Sequence, residues 1–302
     1  HNNVPYHSST HAADVVSRTC AILRSDRILT ESPFRSDLLL LLSAILAAVV
    51  HDFRHPGLSN SFHVATGSDI SLEFNEQSVV ENMSLSRALR ALRTDEFNFL
   101  RNLTGQEQRG VHSNTVKMVL ATDMSRHFDV VAAFHSQVGS QIPDTLSRSA
   151  VRRKSRRSSS SAQRASTDSQ HRLSNVEGVF NGMDARQKLI VLQMAIKVAD
   201  VGHMATHYEQ HVEWSRLLEE EFFAQGDMEK ELGLDVSPLM DRAKPGVMDP
   251  SNQMTFADVI VIPLIKAWSN FAVKGGSQLL NQALHNRERW EEKSRNAGDC
   301  HR

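Results

Sequence analysis

Histidine and aspartate residues cluster at three separated places in this 302-residue chain. His7 and His11 lie four residues apart in YHSSTHAADV and would share one face of a helix. His51 and Asp52 directly follow a long apolar run, and Asp200 ends a second one in KVADVGH. Imidazole nitrogens and carboxylate oxygens bind divalent cations, and burying them without a compensating charge is costly. The clusters therefore indicate a metal site assembled from distant parts of the chain.

Four of these residues, His11, His51, Asp52 and Asp200, form the predicted ligand set. Two nitrogen and two carboxylate ligands suit Zn²⁺ with room for a water. Because Asp52 has two carboxylate oxygens, it could also reach a second, harder cation held mainly by waters. The simpler interpretations are a histidine pair that decorates a helix and, for Asp200, an ordinary helix-terminal carboxylate. The C-terminal end of a helix disfavours negative charge, however, so a positive group is expected near Asp200.

Helices are the elements expected to position these clusters. The chain has only 14 glycines, 8 prolines and 6% aromatic residues, which weighs against turn-rich β-sandwiches. Residues 38–50 and 189–198 are apolar on nearly all sides, and they predict two buried central helices. The predicted fold class is all-α.

Two further segments have the apolar spacing of amphipathic helices. The second of them, residues 256–271, carries its apolar stripe through Val259 and contains Pro263, where a kink is expected. The apolar residues of the first segment are Trp214, Leu217, Leu218 and Phe222.

Charge, cysteine content and hydropathy exclude several classes of protein. With 34 basic and 35 acidic residues, the net charge of −1 argues against a nucleic-acid-binding protein. Cys20 and Cys300 are too far apart in sequence for a disulfide framework, so a reducing, cytoplasmic setting is expected. The longest apolar run, residues 38–50, is shorter than the ~20 residues that cross a bilayer, so no membrane span is predicted. Since the chain starts at His1 without methionine, we expect a fragment of a longer protein.

One basic, serine-rich segment differs from the rest of the chain. Residues 148–172 contain eight Lys or Arg residues and one acidic residue, with few apolar side chains. Such a segment buries too little apolar surface to offset its ordering entropy, so about 136–174 is predicted to be a disordered loop. RRKSRRS also makes Ser155 and Ser158 candidate sites for a basophilic protein kinase, although a solvated spacer is at least as good an interpretation.

Seven motifs, taken in order, resemble the catalytic domain of the class I 3′,5′-cyclic-nucleotide phosphodiesterases. They are YHSSTHAADV, HDFRHPGLSN, SVVENMSL, MVLATDMSRHF, KVADVGH, EEEFFAQGDMEKELGL and NQMTFADVIVIPL. The resemblance covers nearly all of the chain outside the basic segment. It implies a compact multi-helix bundle of the metal-dependent HD type, in one domain over residues 1–302 that lacks the family's N-terminal helices.

The resemblance implies a role for each residue that matches a family motif. Zinc would be held by His11, His51, Asp52 and Asp200. Asp52 would also reach a second ion, magnesium or manganese, whose waters are held in the family at the positions of His55, Glu81 and Thr122.

The resemblance also implies residues for acid catalysis and for binding the base. His7 matches the histidine that protonates the leaving group. Gln253 matches the glutamine that hydrogen-bonds the purine edge, and Phe256 matches the aromatic residue that stacks on the base. Taken alone, these two residues would instead be interpreted as a surface amide and a core aromatic.

The implied activity is hydrolysis of cAMP, cGMP or both to the 5′-monophosphate, which ends cyclic-nucleotide signalling. In the family, a hydroxide between two cations attacks the phosphodiester in line while a histidine protonates the departing O3′. The sequence leaves the choice of purine open. His203 gives a weak indication of dual specificity, because the calmodulin-stimulated branch has histidine at that position.

Several residues depart from the family pattern and keep other hypotheses open. Ser8 replaces the usual Asn, Arg54 replaces an acidic residue, and Met83 and Ser84 replace a His-His pair. One alternative is therefore a catalytically weak domain that binds cyclic nucleotide in a regulatory role. Another HD-type phosphohydrolase is a poorer alternative, since it would leave Gln253 unexplained.

Overall fold

The structure, a computed structural model, describes residues 4–29, 32–139 and 176–299. The α-helices in these ranges are α1 (Ser9–Ser25), α2 (Arg35–Val50), α3 (Asn60–Ala65), α4 (Asp69–Glu73), α5 (Val79–Ala91), α6 (Gly105–Val119), α7 (His127–Gln137), α8 (Ala185–Asp200), α9 (Tyr208–Glu231), α10 (Pro250–Phe256), α11 (Ile262–Phe271) and α12 (Val273–Asp299). A short helical segment also spans residues 176–181. No strand occurs within the described ranges, and the all-α prediction is confirmed.

Helix α8 is the centre of the bundle. It packs against α1, α2, α6, α7 and α11. Its apolar residues from Ile190 to Ala199 are buried, as the sequence predicts. The Asp184 carboxylate accepts the backbone N–H of Gln187 at 2.8 Å, and Oε1 of Gln187 accepts the backbone N–H of Asp184 at 3.1 Å. This reciprocal pair is a capping box that starts the helix. Although α8 runs through the core, its last residue, Asp200, is partly exposed.

Helix α2 is the second buried helix predicted from the sequence. It packs against α1 and α6, and its residues Ala44, Ala47 and Ala48 are fully buried. Three alanines on this helix allow close approach of its neighbours. The helix ends at Val50, so the HDFRHPG segment begins directly at the end of a core helix.

Helix α9 buries a different face from the one its apolar spacing predicts. The stripe of Trp214, Leu217, Leu218 and Phe222 is only half buried. The fully buried residues are instead mostly polar, namely His211, Ser215, Glu221, Gln225, Gly226 and Glu229. The amphipathic interpretation is corrected here, because buried hydrogen-bond partners on other elements satisfy this polar face.

A π-helical turn at Ala257–Val261 lies between α10 and α11. The irregularity predicted at Pro263 thus takes the form of a wider turn just before the proline, which lacks the N–H that a regular helix needs. The extra residue in this turn rotates the stripe, so Val259 is 50% exposed while Leu264 and Trp268 are fully buried. Val259 therefore does not belong to the core stripe, contrary to the sequence interpretation.

One stretch, Pro250–Phe271, is long and apolar enough by composition to cross a membrane, with a mean hydropathy of 1.2. A buried core helix passes the same test. Within the Pro250–Phe271 stretch, four residues are fully buried, namely Val261, Leu264, Ile265 and Trp268. Helix α11, which lies in this stretch, packs against α12 and α8. These contacts account for the apolar composition as part of the helical core.

The basic, serine-rich segment falls mostly outside the described residues. Helix α7 extends through Gln137, and Val138 is buried, so the first residues of the predicted loop are structured. Ser155 and Ser158 lie outside the described ranges.

Candidate active site

The predicted metal ligands converge at one place in the core. The Nε2 atom of His11 lies 3.1 Å from Oδ1 of Asp200 and 3.5 Å from Oδ2 of Asp52. The Nε2 atom of His51 lies 3.0 Å from Oδ2 of Asp52, 3.4 Å from Oδ1 of Asp200 and 3.4 Å from Nε2 of His11. Four donor atoms from α1, from the turn after α2 and from the end of α8 thus face one point, although 189 residues separate His11 from Asp200.

These distances match the edges of a metal tetrahedron. A Zn²⁺ ion with ligands at 2.0–2.1 Å places neighbouring ligand atoms about 3.3 Å apart. The Nδ1 atom of His51 lies 2.9 Å from the backbone carbonyl of Ala48. Because a carbonyl only accepts, Nδ1 carries the hydrogen and the lone pair of Nε2 points at the other donors. The donor set and its tautomer therefore fit a zinc ion.

The four carboxylate and imidazole groups influence each other strongly without a cation. Burial alone would raise the pKa of Asp52 and Asp200. His51 and His7 hold the pKa of Asp52 well below its usual range, and His11 and His51 do the same for Asp200. Although burial alone would lower it, the charge of Asp52 and the contact with Asp200 raise the pKa of His51 well above its ordinary value. His51 is the positive group expected near Asp200.

His7 lies in the turn before α1, which begins at Ser9. His7 and His11 are therefore not on one helical face as their spacing predicts, although their rings meet edge to face with centroids 5.9 Å apart. The His7 ring is partly exposed, whereas His11 is buried. This difference suits a proton-transferring group for His7 and a metal ligand for His11.

Glu221 on α9 holds His7 in place. The Nδ1 atom of His7 bonds Oε1 of Glu221, while the backbone N–H groups of Tyr6 and His7 donate to Oε2 at 3.0 and 3.1 Å. Burial alone would lower the pKa of His7, but the charges of Asp52 and Glu221 raise it to about 9. With Nδ1 paired to the carboxylate, Nε2 of His7 is the atom that can deliver a proton to a substrate.

The sequence interpretation quoted Glu221 only as part of EEEFFAQGD and gave it no role. Its neighbour one turn along, Gln225, holds the metal-binding segment: Oε1 accepts the backbone N–H of Ser59 at 2.8 Å, and Nε2 donates to the Ser59 hydroxyl at 3.0 Å. Nε2 also donates to Glu229 at 2.8 Å. The four-residue spacing of Glu221, Gln225 and Glu229 is the sequence signal that identifies this polar face.

His55 stacks on His7 with ring centroids 3.9 Å apart. Its Nδ1 accepts the backbone N–H of Gly57 at 3.0 Å, so the neutral ring carries its hydrogen on Nε2. Burial, together with the charge of His7, lowers the pKa of His55 to about 3. His7, His55 and Glu221 also form a group that could hold an ion. The Nδ1 atoms of both histidines are already hydrogen-bonded, however. This favours a role for His55 and Glu221 in positioning His7 as a proton donor.

Arg54 occupies the corner between Asp52 and His55. Its φ of 60° is left-handed, which costs a side chain other than Gly, Asn or Asp roughly 1–2 kcal/mol. The corner turns the chain sharply enough to bring Asp52 and His55 to the same site. An acidic residue, usual in the family, tolerates this conformation better than arginine does.

Glu81, Thr122 and Asp123 supply further oxygen atoms, and Asp123 is close enough to Glu81 for their charges to interact. Burial and the charge of Asp123 raise the pKa of Glu81 to about 7, and Asp52 adds a smaller effect. Asn60 donates to Glu81 at 3.0 Å. The Thr122 hydroxyl is buried and donates to the carbonyl of Val119 at 2.8 Å, which leaves its oxygen able to accept. Buried carboxylates that disfavour each other's charge are a setting that suits a hard cation.

Gln253 and Phe256 lie three residues apart on α10 and so share a helix face. Gln253 is buried and donates to the carbonyl of Val247 at 2.8 Å. Its Oε1 is buried and has no hydrogen-bond partner among the described residues. Phe256 is half buried and packs against the core. The buried acceptor on Gln253 is suited to a ligand donor, and both residues remain predictions for base binding.

A chain of buried side chains joins His203 to α12. The indole N–H of Trp290 donates to Nε2 of His211 at 2.8 Å, and Nδ1 of His211 lies 3.1 Å from Nδ1 of His203. Because the indole can only donate, Nε2 of His211 is the acceptor, and the neutral ring carries its hydrogen on Nδ1. That N–H donates a hydrogen bond to Nδ1 of His203. Burial lowers the pKa of His211 to about 4, so the ring stays neutral at pH 7. Sequence analysis did not identify His211 or Trp290.

Comparison with known proteins supports the assignment by motif. The family model for 3'5'-cyclic nucleotide phosphodiesterases matches residues 6–283. The chain is 31% identical over 288 residues to the 3',5'-cyclic-AMP phosphodiesterase 4C of Rattus norvegicus, covering 95% of this chain and 47% of that protein. It is 34% identical over 266 residues to the dual specificity calcium/calmodulin-dependent 3',5'-cyclic nucleotide phosphodiesterase 1 of Drosophila melanogaster, covering 88% and 26%. The chain thus spans less than half the length of either relative.

Two solved structures share the fold. The structure of LmjPDEB1 in complex with IBMX gives a TM-score of 0.78 at 24% identity and covers 98% of this chain and 76% of that one. The phosphodiesterase domain of the RhoPDE fusion protein from the choanoflagellate Salpingoeca rosetta gives a TM-score of 0.77 at 23% identity. That match covers 99% of this chain and 81% of the other one. The match to the family model, together with the motifs, shows that this chain belongs to the 3′,5′-cyclic nucleotide phosphodiesterase family.

Proposed function

We propose that the chain hydrolyses 3′,5′-cyclic nucleotides, cAMP, cGMP or both, to the 5′-monophosphates. The observation that carries this proposal is the pairing of a tetrahedral donor set with His7, a proton donor held by Glu221 next to it. Relatives of this chain are named as cAMP-specific and as dual-specificity phosphodiesterases. The donor set and His7 would act on the cyclic phosphodiester, which both substrates share.

Two divalent cations are the cofactors that the donor groups fit. His11, His51, Asp52 and Asp200 would hold a zinc ion. Asp52 would also reach magnesium or manganese, whose waters His55, Glu81 and Thr122 would hold. When bound, such a pair of cations neutralises the phosphodiester charge and lowers the pKa of water. We assign Asp52 to both ions because it faces the histidines and also influences Glu81.

The chain's own residues supply positioning and the proton. Glu221 orients the His7 ring through Nδ1 and keeps it protonated at neutral pH, because the pKa of His7 is raised to about 9. Nε2 of His7 then protonates the departing O3′, which would otherwise leave as an unstable alkoxide. His55, stacked on His7 and neutral, limits the orientations of the ring.

Recognition of the base is assigned to Gln253 and Phe256. The carbonyl of Val247 fixes the amide nitrogen of Gln253, so the buried Oε1 is the atom offered to a purine. That orientation favours a donor on the base, such as the amino group of adenine. If the Gln253 amide were rotated by 180° about its last side-chain bond, its NH₂ group would face the base and would favour an acceptor there. Both cyclic nucleotides should therefore be compared as substrates.

Turnover tests the proposal directly. Purified protein with added Mg²⁺ or Mn²⁺ should convert cAMP, cGMP or both to the 5′-monophosphates, identified by chromatography, and EDTA should abolish the reaction. The His7→Ala variant is the matched control, since it should bind metal without efficient turnover. Formation of 3′-monophosphates, or activity that is independent of metal, would contradict the proposal.

A second function, a binding domain with little turnover, is favoured by Arg54. This arginine takes the place of a family acid two residues after Asp52, and its guanidinium lies 5.7 Å from the centroid of the Phe53 ring. A positive charge in this segment opposes the binding of a second cation. In that case cyclic nucleotide would bind with normal affinity, measured by calorimetry, while turnover stays near background in wild type. The Arg54→Asp variant should then restore hydrolysis.

A further inference from the structure

Lys197 is a buried cation on the same helix as the metal ligand Asp200. Its side chain is fully buried, which is rare for lysine. The two residues lie three positions apart near the end of α8, so they share one face of the helix. Neither the predicted ligand set nor the proposed chemistry makes use of this lysine.

The ammonium group of Lys197 holds three consecutive carbonyl groups. It donates to the backbone oxygens of Ala121, Thr122 and Asp123 at 3.2, 3.3 and 3.4 Å. An ammonium has three hydrogens, so this arrangement satisfies all of them. The carbonyls follow the C-terminal end of α6, where backbone oxygens lack helical partners and a positive charge is favourable.

The turn held by Lys197 carries Thr122 and Asp123, and Asp123 is close enough to Glu81 for its charge to act on that carboxyl group. Oδ2 of Asp123 accepts the Ser78 hydroxyl at 2.6 Å. Ser78, with a left-handed φ of 43°, directly precedes α5, which carries Glu81. A continuous path of contacts therefore runs from α8, through the 121–123 turn, to the start of α5.

We propose that Lys197 is a positioning residue for the second cation: its ammonium fixes the 121–123 turn relative to Asp200, and so sets the spacing between the two metal positions. Helix α8 thereby supplies Asp200 to the zinc position and also holds the 121–123 turn, next to the position of the second cation. Burial lowers the pKa of Lys197, and the carboxylates of Asp200, Asp123 and Glu81 oppose this effect. This inference rests on the proposed two-cation function.

Direct binding of Mn²⁺ to zinc-loaded protein, followed by electron paramagnetic resonance, tests the proposal without any substrate. Lys197→Met removes the charge and keeps a similar length. We expect its Mn²⁺ affinity to fall about 10- to 100-fold, the range for residues that orient metal ligands, while zinc content stays unchanged. The sign is informative, because loss of a nearby positive charge would by itself strengthen the binding of a cation.

Lys188→Met is the matched control. Lys188 lies on the same helix and pairs with the buried Asp37 at 2.9 Å, away from the 121–123 turn. Its loss should lower thermal stability but leave Mn²⁺ affinity at the wild-type value. Ser78→Ala breaks the other contact of the turn and should weaken Mn²⁺ binding by a smaller factor than Lys197→Met does.

Three results would overturn the positioning role. The first is that Lys197→Met binds Mn²⁺ as well as wild type or more tightly. The second is that this variant loses zinc and Mn²⁺ to the same extent. The third is that Lys188→Met loses as much Mn²⁺ affinity as Lys197→Met does. Should Lys197→Met not fold, wild-type Mn²⁺ affinity in Ser78→Ala overturns it instead. Wild-type protein that binds zinc but no Mn²⁺ or Mg²⁺ would contradict the two-cation function itself, which separates the two failures.

Discussion

Glu221 binds both the backbone and the ring of His7, although 214 residues separate the two in sequence. One carboxylate oxygen accepts the backbone N–H of His7 at 3.1 Å, and the other pairs with Nδ1. The pKa of Glu221, which burial alone would raise, is lowered to about 2 by His7. The pair is therefore charged at neutral pH, and its geometry fixes which nitrogen of His7 faces the site.

Glu221→Gln should move the alkaline limb of the pH–rate profile to lower pH. The proton donor must be protonated, so activity falls as pH rises through the pKa of His7, which is about 9. Removing the charge of Glu221 should lower this pKa by about one to three pH units. The measurement is kcat/KM against pH from 6 to 10. Glu220→Gln, at an exposed neighbouring position, should leave the profile unchanged.

His7→Ala should lower kcat by about 10²–10⁴-fold, the usual contribution of a general acid. Zinc content should not change, because His7 is not in the tetrahedral donor set. The loss should be smaller with an aryl phosphodiester, whose leaving group needs no proton. An equal loss on both substrates would indicate a structural role for His7.

Asp200→Asn should remove zinc, since the amide loses the anionic oxygen that faces His11 and His51. Elemental analysis of gently purified protein should show about one zinc per chain in wild type and close to none in the variant. Asp14→Asn, which breaks an ion pair with Arg18 on α1, is the control and should keep its zinc. Zinc retained by Asp200→Asn would show that the ligand assignment is wrong.

Zinc binding to metal-free protein should release protons at pH 7. Burial opposes protonation of His51, but Asp52 and Asp200 raise its pKa well above 6.5, so the metal-free ring is protonated. The ring must lose that proton to bind a cation. Calorimetry in buffers of different ionisation enthalpy should therefore give at least about one proton released per zinc. Heats that do not depend on the buffer would contradict this expectation.

The protein should lose stability as pH falls from 6.5 to 4, in part through His211. Burial lowers the pKa of His211 to about 4, whereas an unfolded histidine titrates near 6.5, so the unfolded state binds the proton first. The stabilisation is complete above pH 6.5, and about 3 kcal/mol is lost by pH 4. Urea unfolding at several pH values measures the slope, which His211→Gln should reduce. His112→Gln, at an exposed position on α6, should not reduce it.

The helices and the candidate ligand set follow from local sequence patterns. Apolar runs that end in His51, Asp52 and Asp200 predict both the buried helices α2 and α8 and the donors at their ends. Periodicity contains this information because a helix that is apolar on all sides must lie in the core, and a polar residue at its end must then find a partner.

Contacts between distant elements were decided only by the tertiary structure. Spacing predicted the apolar face of α9 to be buried, but the bundle buries Glu221, Gln225 and Glu229 because each meets a hydrogen-bond partner on another segment. Likewise, nothing local in KVAD shows that Lys197 faces the carbonyls of Ala121 to Asp123. The physical reason is that a polar side chain is stable in a core only when its partner is there, and packing alone determines which residues meet.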